Sequence, residues 1–228
     1  MQVDSITMIE PEKATPFVGE CLRRLRQECK SSNTAVLGFV GCPYTLATYL
    51  IEGGSSQNFS KIKKMINTNP KLLHSLLKKL ADNIAEYSCY QIENGAQVIQ
   101  VFDSWAGHLS TRDYDEFALP YQKIIIDEIK RRYPLVPTIM YIKHCGGLLG
   151  RMAKTGVDVV SLDWTVDIAE ARTILDAARK EIGLNGRVGV QGNLDPMLLF
   201  SDDEIIRDRA LEIISKAGDR GHVMNLGH

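Results

Sequence analysis

An α/β fold built on a parallel sheet is predicted by three observations. Strand-like and helical patterns alternate along the chain. The strand-like runs are Val/Ile-rich and almost continuously apolar, as strands covered on both faces are. Polar residues gather at the C-terminal ends of those runs, where α/β enzymes present their chemistry. Neither GxGxxG nor GxxxxGK followed by Ser or Thr comes after the first strand, which ends GFVGCPYTL. No phosphate cradle of a doubly wound sheet is therefore visible. A (β/α)8 barrel needs eight strands and about 250 residues. Six runs are present, and no helix follows the last. The expectation is a TIM-type (β/α)8 barrel, incomplete, with about six of eight βα units, in a single domain over residues 1–228.

The elements follow in order. A helix opens the chain, with Thr15 capping Pro16 at its first turn and Phe17, Val18, Cys21, Leu22 and Leu25 on one face. AVLGFVG (35–41) is the first strand. EGGSSQNFS (52–60) is too polar and Gly/Ser-rich for core and reads as a loop. Leu72, Leu73, Leu76, Leu77, Leu80 and Ile84 form an i, i+3/i+4 stripe in a long helix starting near Pro70. AQVIQVFDSW (96–105) is the second strand, and Tyr114 to Tyr133 a helix bent at Pro120. VPTIMYIK (136–143), VDVVSLDW (157–164) and RVGVQGNL (187–194) are strands three to five. Helices from Ile168 to Ile182 and from Asp202 to Ala217 have Asp167 and Ser201 as N-caps. In HVMNLGH (222–228), Val223, Met224 and Leu226 read as a buried strand, with Gly227 freeing the backbone before His228.

Composition excludes several classes. Apolar content of 44% and charged content of 24% are those of a globular protein with a sizeable core. A formal charge of −1 argues against a nucleic-acid partner. No run approaches the roughly 20 apolar residues of a membrane span. MQVDSITMIEPEK has early acids and no apolar h-region, so a signal peptide is not expected. The five cysteines (Cys21, Cys29, Cys42, Cys89, Cys145) lack CxxC spacing and fit reduced thiols in an intracellular compartment. No metal site is expected: His144 and Cys145 are adjacent and point apart, and no later cysteine completes a set.

The strand ends carry Tyr44 and Tyr49, then Asp103, Ser104 and Trp105, then Lys143 and His144. Asp163 and Trp164, then Gln191, Asn193 and Asp195, and finally Asn225 and His228 follow. Plainer readings stand beside a functional one. Asp163 could cap the next helix, Asn193 and Asp195 could form a turn before Pro196, and Ser104 could bond backbone. Tyr49 could be an ordinary amphipathic aromatic. His74 reads as structural; His108 and His222 have no evident partner.

GFVGCPYTLATYLIEGGSS, VFDSWAGHLS, FALPY, VVSLDWTVD, VQGNLDP and HVMNLGH, in this order, closely resemble the uroporphyrinogen decarboxylase family. The resemblance runs from about residue 35 to the end, and more weakly before that. It implies a carboxy-lyase of porphyrin (heme or chlorophyll) biosynthesis on a distorted (β/α)8 barrel that pairs as a homodimer. The implied reaction turns the four acetate side chains of uroporphyrinogen III into methyls, giving coproporphyrinogen III, with no metal and no cofactor. Carried over by motif, the substrate-binding residues are Tyr49, Ser104 and His228. Cys42 and Tyr44 stand where the family usually has Ala and Trp, a change in packing near Tyr49.

The family's substrate-binding arginines and pyrrole-binding Asp have no matching motif before residue 35. The expectation is a chain truncated at both ends, inactive alone, without a confidently placed catalytic residue. Cytoplasm or plastid stroma is the expected location, and neither membrane nor nucleic acid an expected partner. Two alternatives remain: a non-catalytic binding or dimerisation subunit derived from the decarboxylase, and a zinc-dependent methyltransferase of the same barrel superfamily.

Overall fold

The computed structural model describes residues 3–54, 58–184 and 186–228, so Ser55, Ser56 and Gln57 of the Gly/Ser-rich loop lie outside the described residues. Helices α1 (Pro11–Ala14) and α2 (Pro16–Glu28) precede β1 (Leu37–Gly41). Then come α3 (Pro43–Glu52), α4 (Ser60–Thr68), α5 (Pro70–Glu93) and β2 (Val98–Phe102). Next are α6 (Thr111–Phe117), α7 (Leu119–Arg132), β3 (Thr138–Tyr141), α8 (Leu149–Ala153) and β4 (Val159–Ser161). The chain continues through α9 (Ile168–Glu181), β5 (Gly189–Gln191), α10 (Asp203–Ala217) and β6 (His222–Val223).

Among the described residues the six strands are all parallel and lie in chain order, β1-β2-β3-β4-β5-β6. The sheet curls. Gln100 of β2 and Gln191 of β5 are three strands apart, roughly 14 Å in a flat sheet. Their side chains nevertheless meet, with Gln191 Nε2 donating to Gln100 Oε1 at 3.2 Å and to Ser161 Oγ at 3.1 Å. Side chains standing perpendicular to a flat sheet could not do this. One face is therefore concave and carries a buried polar layer. The convex face carries Ile99, Val101, Met140, Val160 and Val190 into the apolar core beneath the helices.

Several local expectations are corrected. The strands are shorter than the apolar runs: β2 ends just before Asp103 and β4 two residues before Asp163, and both aspartates bond neighbouring loops. Val223 and Met224 are not buried: they are 46% and 39% exposed, and pairing beyond β6 is reduced to one bridge, Leu194 to Leu226. Ser201 does not cap α10; Asp202 holds that position, without a side-chain bond to the helix. Thr15 stands at the N-cap of α2, but its hydroxyl donates back to the Pro11 carbonyl at 3.1 Å. Asp167 does cap α9, accepting from the Ala169 and Glu170 amides. Near Pro120 the helix breaks at Ala118 into α6 and α7, since proline cannot donate to the preceding turn. On α2 only Leu22 is buried among the predicted face; Phe17 and Leu25 are exposed beside the open edge of β1. The 52–60 loop reaches the core after all: Phe59 is buried. Glu52, also buried, accepts from the Lys61 and Ile62 amides and so closes the start of α4.

Candidate active site

Two buried aspartates hold the strand-end loops together. Asp103, directly after β2, is fully buried. One carboxylate oxygen accepts from the Thr45 amide at 3.1 Å and the Thr45 hydroxyl at 2.7 Å, in the first turn of α3. The other accepts from Gln122 Nε2 of α7 at 2.7 Å, and Gln122 Oε1 accepts from the Tyr114 hydroxyl at 2.6 Å. Thr45 Oγ1 in turn accepts from the Trp105 amide. Asp163, after β4, is equally buried. It accepts from the Thr165 amide and hydroxyl, and across the gap from the Cys145 amide at 3.0 Å. It therefore pins the β3 and β4 loops rather than capping a helix. Asn193 adds the β5 loop by donating to the carbonyls of Asp163 and Val166. Asp195 takes the plainer reading, its side chain accepting from the Met197 amide.

Burial pushes the Asp103 carboxyl up to about 6, and the hydrogen bonds from Gln122 and Thr45 pull down without offsetting it. An exposed Asp titrates near 3.9. Between those values the folded chain keeps a proton that the unfolded chain has lost. The stability from this group is therefore fully present below about pH 4 and falls as pH rises through about 6, by about 3 kcal/mol in all. Asp103→Asn removes the titration while Gln122 can turn its amide to match. Urea unfolding of the two proteins from pH 4 to 7 should show a steeper loss of stability in the parent chain. Parallel profiles would contradict the assignment.

Two glycines set how closely the loops approach. A Cβ on Gly107 would stand 1.9 Å from the Lys143 carbonyl oxygen, and one on Gly227 would stand 2.4 Å from the Trp164 nitrogen. Gly227 is stitched in place: its carbonyl accepts from the Trp164 amide, and its amide donates to the Leu194 carbonyl. His228 is thereby delivered to the β3–β4 end of the sheet.

The predicted residues fall in two clusters along the strand ends. Tyr49 lies half-exposed on α3, its ring edge-on to Trp105 at 6.1 Å. Ser104 is half-buried beside it in sequence, and neither hydroxyl has a hydrogen-bond partner among the described residues. The backbone-bonded reading of Ser104 is thus not realised. At the other cluster, His228 Nε2 is 3.3 Å from Lys143 Nζ, and its ring is 5.7 Å from Trp164. Lys143 Nζ stands 5.8 Å from the centre of the Trp164 ring. Among the described residues no hydrogen bond or ring contact joins Tyr49 or Ser104 to His228.

The sequence did not show several further neighbours of these residues. Phe59 packs on Trp105 and on His108, with ring centres 5.1 and 4.6 Å apart. His108 also meets His144 edge-on at 5.7 Å. Burial lowers the His108 pKa, and the neighbouring His144, Lys63 and Lys143 lower it further. On the concave face, the rings of Phe39, Phe102 and Tyr141 run across β1, β2 and β3. An apolar run at strand spacing does not reveal which aromatic faces inward. His144 is exposed and Cys145 buried, so the pair does point apart. Among the described residues, no three His, Cys, Asp or Glu side chains come together to hold a metal ion. His222 finds its partner in the Gly192 carbonyl, and His74 in the Tyr121 hydroxyl and the Phe117 ring.

A curled sheet of parallel strands in chain order, with helices outside it and polar residues at its C-terminal ends, defines the barrel-type α/β fold class. Solved structures agree on the fold: a methyltransferase from Methanosarcina mazei superposes with a TM-score of 0.80 over 99% of this chain and 63% of its own, at 17% identity. The family model for uroporphyrinogen decarboxylase (URO-D) matches residues 1–228, and the chain belongs to that family. Among curated relatives, uroporphyrinogen decarboxylase of Trichodesmium erythraeum is 54% identical over 227 residues. The alignment covers 100% of this chain and 61% of that protein. Uroporphyrinogen decarboxylase 2, chloroplastic, of Oryza sativa subsp. japonica is 51% identical over 226 residues, 99% of this chain and 55% of that protein. The chain thus spans somewhat over half the length of these relatives.

Proposed function

We propose that this chain carries the strand-end half of a decarboxylase acting on uroporphyrinogen III, with Tyr49, Ser104 and His228 contacting the substrate. The observation that carries the reading is the pair of hydroxyls left without protein partners at the same sheet ends as Lys143 and His228, within motifs of the family. The chemistry needs no cofactor. Protonating a pyrrole carbon next to an acetate turns the ring into an electron sink. The C–C bond to the carboxylate breaks, its electron pair enters the ring, and CO2 leaves. A second proton on the exocyclic carbon and loss of the ring proton give the methyl group. What the protein supplies is a shaped site, hydrogen-bond donors for carboxylates and a held imidazole.

The coarser setting is consistent with this reading. Among the described residues no helix is long and apolar enough to cross a membrane. Cyanobacterial relatives and one called chloroplastic fit a cytoplasmic or plastid-stromal enzyme. A homodimer and a single barrel domain are part of the proposal.

The test places residues 1–228 in the corresponding stretch of the Trichodesmium erythraeum relative. In that chimera Tyr49→Phe and Ser104→Ala each remove one hydroxyl. A hydrogen bond to a charged group contributes about 1.5–3 kcal/mol, so kcat/KM should fall roughly 10- to 100-fold while the melting temperature stays within about 2 °C. Unchanged kinetics in both variants would remove these residues from the site.

A further inference from the structure

We propose that Lys143 is a substrate-carboxylate-binding residue of this site and also fixes the tautomer of His228. The inference rests on the decarboxylase reading for the identity of the anion, and on geometry for the rest. Lys143 sits just past β3, half-buried, its backbone carbonyl pressed against Gly107. Its ammonium has no acidic partner among the described residues. Other lysines do: Lys130 pairs with Asp158, and Lys216 with Asp167 and Glu212. The carboxylate of Asp163, at the end of the adjacent strand β4, is occupied by Thr165 and the Cys145 amide. A cation held over the Trp164 face, with His144 and His108 nearby and no acidic side chain to answer it among the described residues, is a place for a ligand's carboxylate.

The contact with His228 adds a second role. An ammonium can only donate. The 3.3 Å approach of Lys143 Nζ to His228 Nε2 therefore makes Nε2 the acceptor and places the imidazole proton on Nδ1. One residue thus binds the anion and leaves His228 as an N–H donor through the other nitrogen.

Of the two tryptophans of the chain, Trp164 lies beneath the Lys143 ammonium and Trp105 stands in the neighbouring Tyr49 cluster, so the fluorescence of Trp164 reports on the site directly. The experiment titrates the 228-residue chain with benzene-1,2,4,5-tetracarboxylate, a stable polycarboxylate probe. It also records histidine side-chain 15N shifts. The parent chain should bind with a change in tryptophan emission and show His228 protonated on Nδ1. Lys143→Met should weaken binding at least tenfold and let the His228 tautomers mix. Lys143→Arg should bind within threefold of the parent, and Lys71→Met, on the exposed side of α5, within twofold. Absence of probe binding by the parent, or binding by Lys143→Met within twofold of it, overturns the carboxylate role. An unchanged Nδ1–H tautomer in Lys143→Met overturns the positioning role. Neither readout involves decarboxylation, so an inactive chimera with intact, Lys143-dependent probe binding would sink the proposed reaction and not this residue's role.

Discussion

Asp103→Ala should cost about 3–5 kcal/mol. The carboxylate is fully buried and accepts three hydrogen bonds, from the Thr45 amide, the Thr45 hydroxyl and Gln122. Alanine leaves those donors buried without acceptors, at about 1–3 kcal/mol for each group left unsatisfied, and opens a small void. The damage spreads along the network. Gln122 loses its anchor against Tyr114, and Thr45, which receives the Trp105 amide, is freed to turn. A domain of this kind is stable by about 5–15 kcal/mol in total. The urea midpoint should therefore drop by a large fraction of its parent value, with the β1 and β2 loops losing hydrogen-exchange protection first. A midpoint within experimental error of the parent would mean that Asp103 is not the link between those loops.

Gly107→Ala should be nearly as damaging, for a steric reason. The added methyl would lie 1.9 Å from the Lys143 carbonyl oxygen and 3.0 Å from its carbonyl carbon, both backbone atoms that no side-chain rotation can move aside. The FDSWAG loop and the β3 loop must separate by more than 1 Å, a rough figure set by ordinary van der Waals contact. Overpacking of this kind costs about 1–3 kcal/mol or more, which for a chain of this size lowers the melting temperature by roughly 3–10 °C. The separation also carries Lys143 away from His228, so probe binding should be lost along with stability. A folded Gly107→Ala chain with parental probe affinity would show that the two loops need not touch.

The layout of the fold was legible from the sequence because parallel strands covered on both faces are continuous apolar runs. The Pro70 start of α5 and the Asp167 cap follow from local chemistry, and the chain order of the strands from the barrel expectation. Where the runs stop being strands was not legible. The Asp103 side chain reaches Thr45, 58 residues away, and Gln122, 19 residues away, and no local pattern shows such partners. The exposed Val223 and Met224 mislead for the converse reason: strand-like composition does not say whether anything covers the strand. At the site, the motif residues Tyr49, Ser104 and His228 were readable as types at strand ends. Phe59 was not, since a loop of Gly and Ser gave no sign that its aromatic would fill the space between Trp105 and His108. Gly107 and Gly227 are explained only by the backbone atoms that would meet a Cβ there.

One assay decides whether the strand-end loops of this chain can form part of a working decarboxylase site. The chimera carrying residues 1–228 is incubated anaerobically with uroporphyrinogen III, the products are oxidised to porphyrins, and these are separated by their number of carboxylates. The account predicts stepwise loss of four carboxyl groups, ending at coproporphyrin. A folded chimera that leaves uroporphyrinogen untouched, under conditions where the Trichodesmium erythraeum relative converts it, would contradict the account.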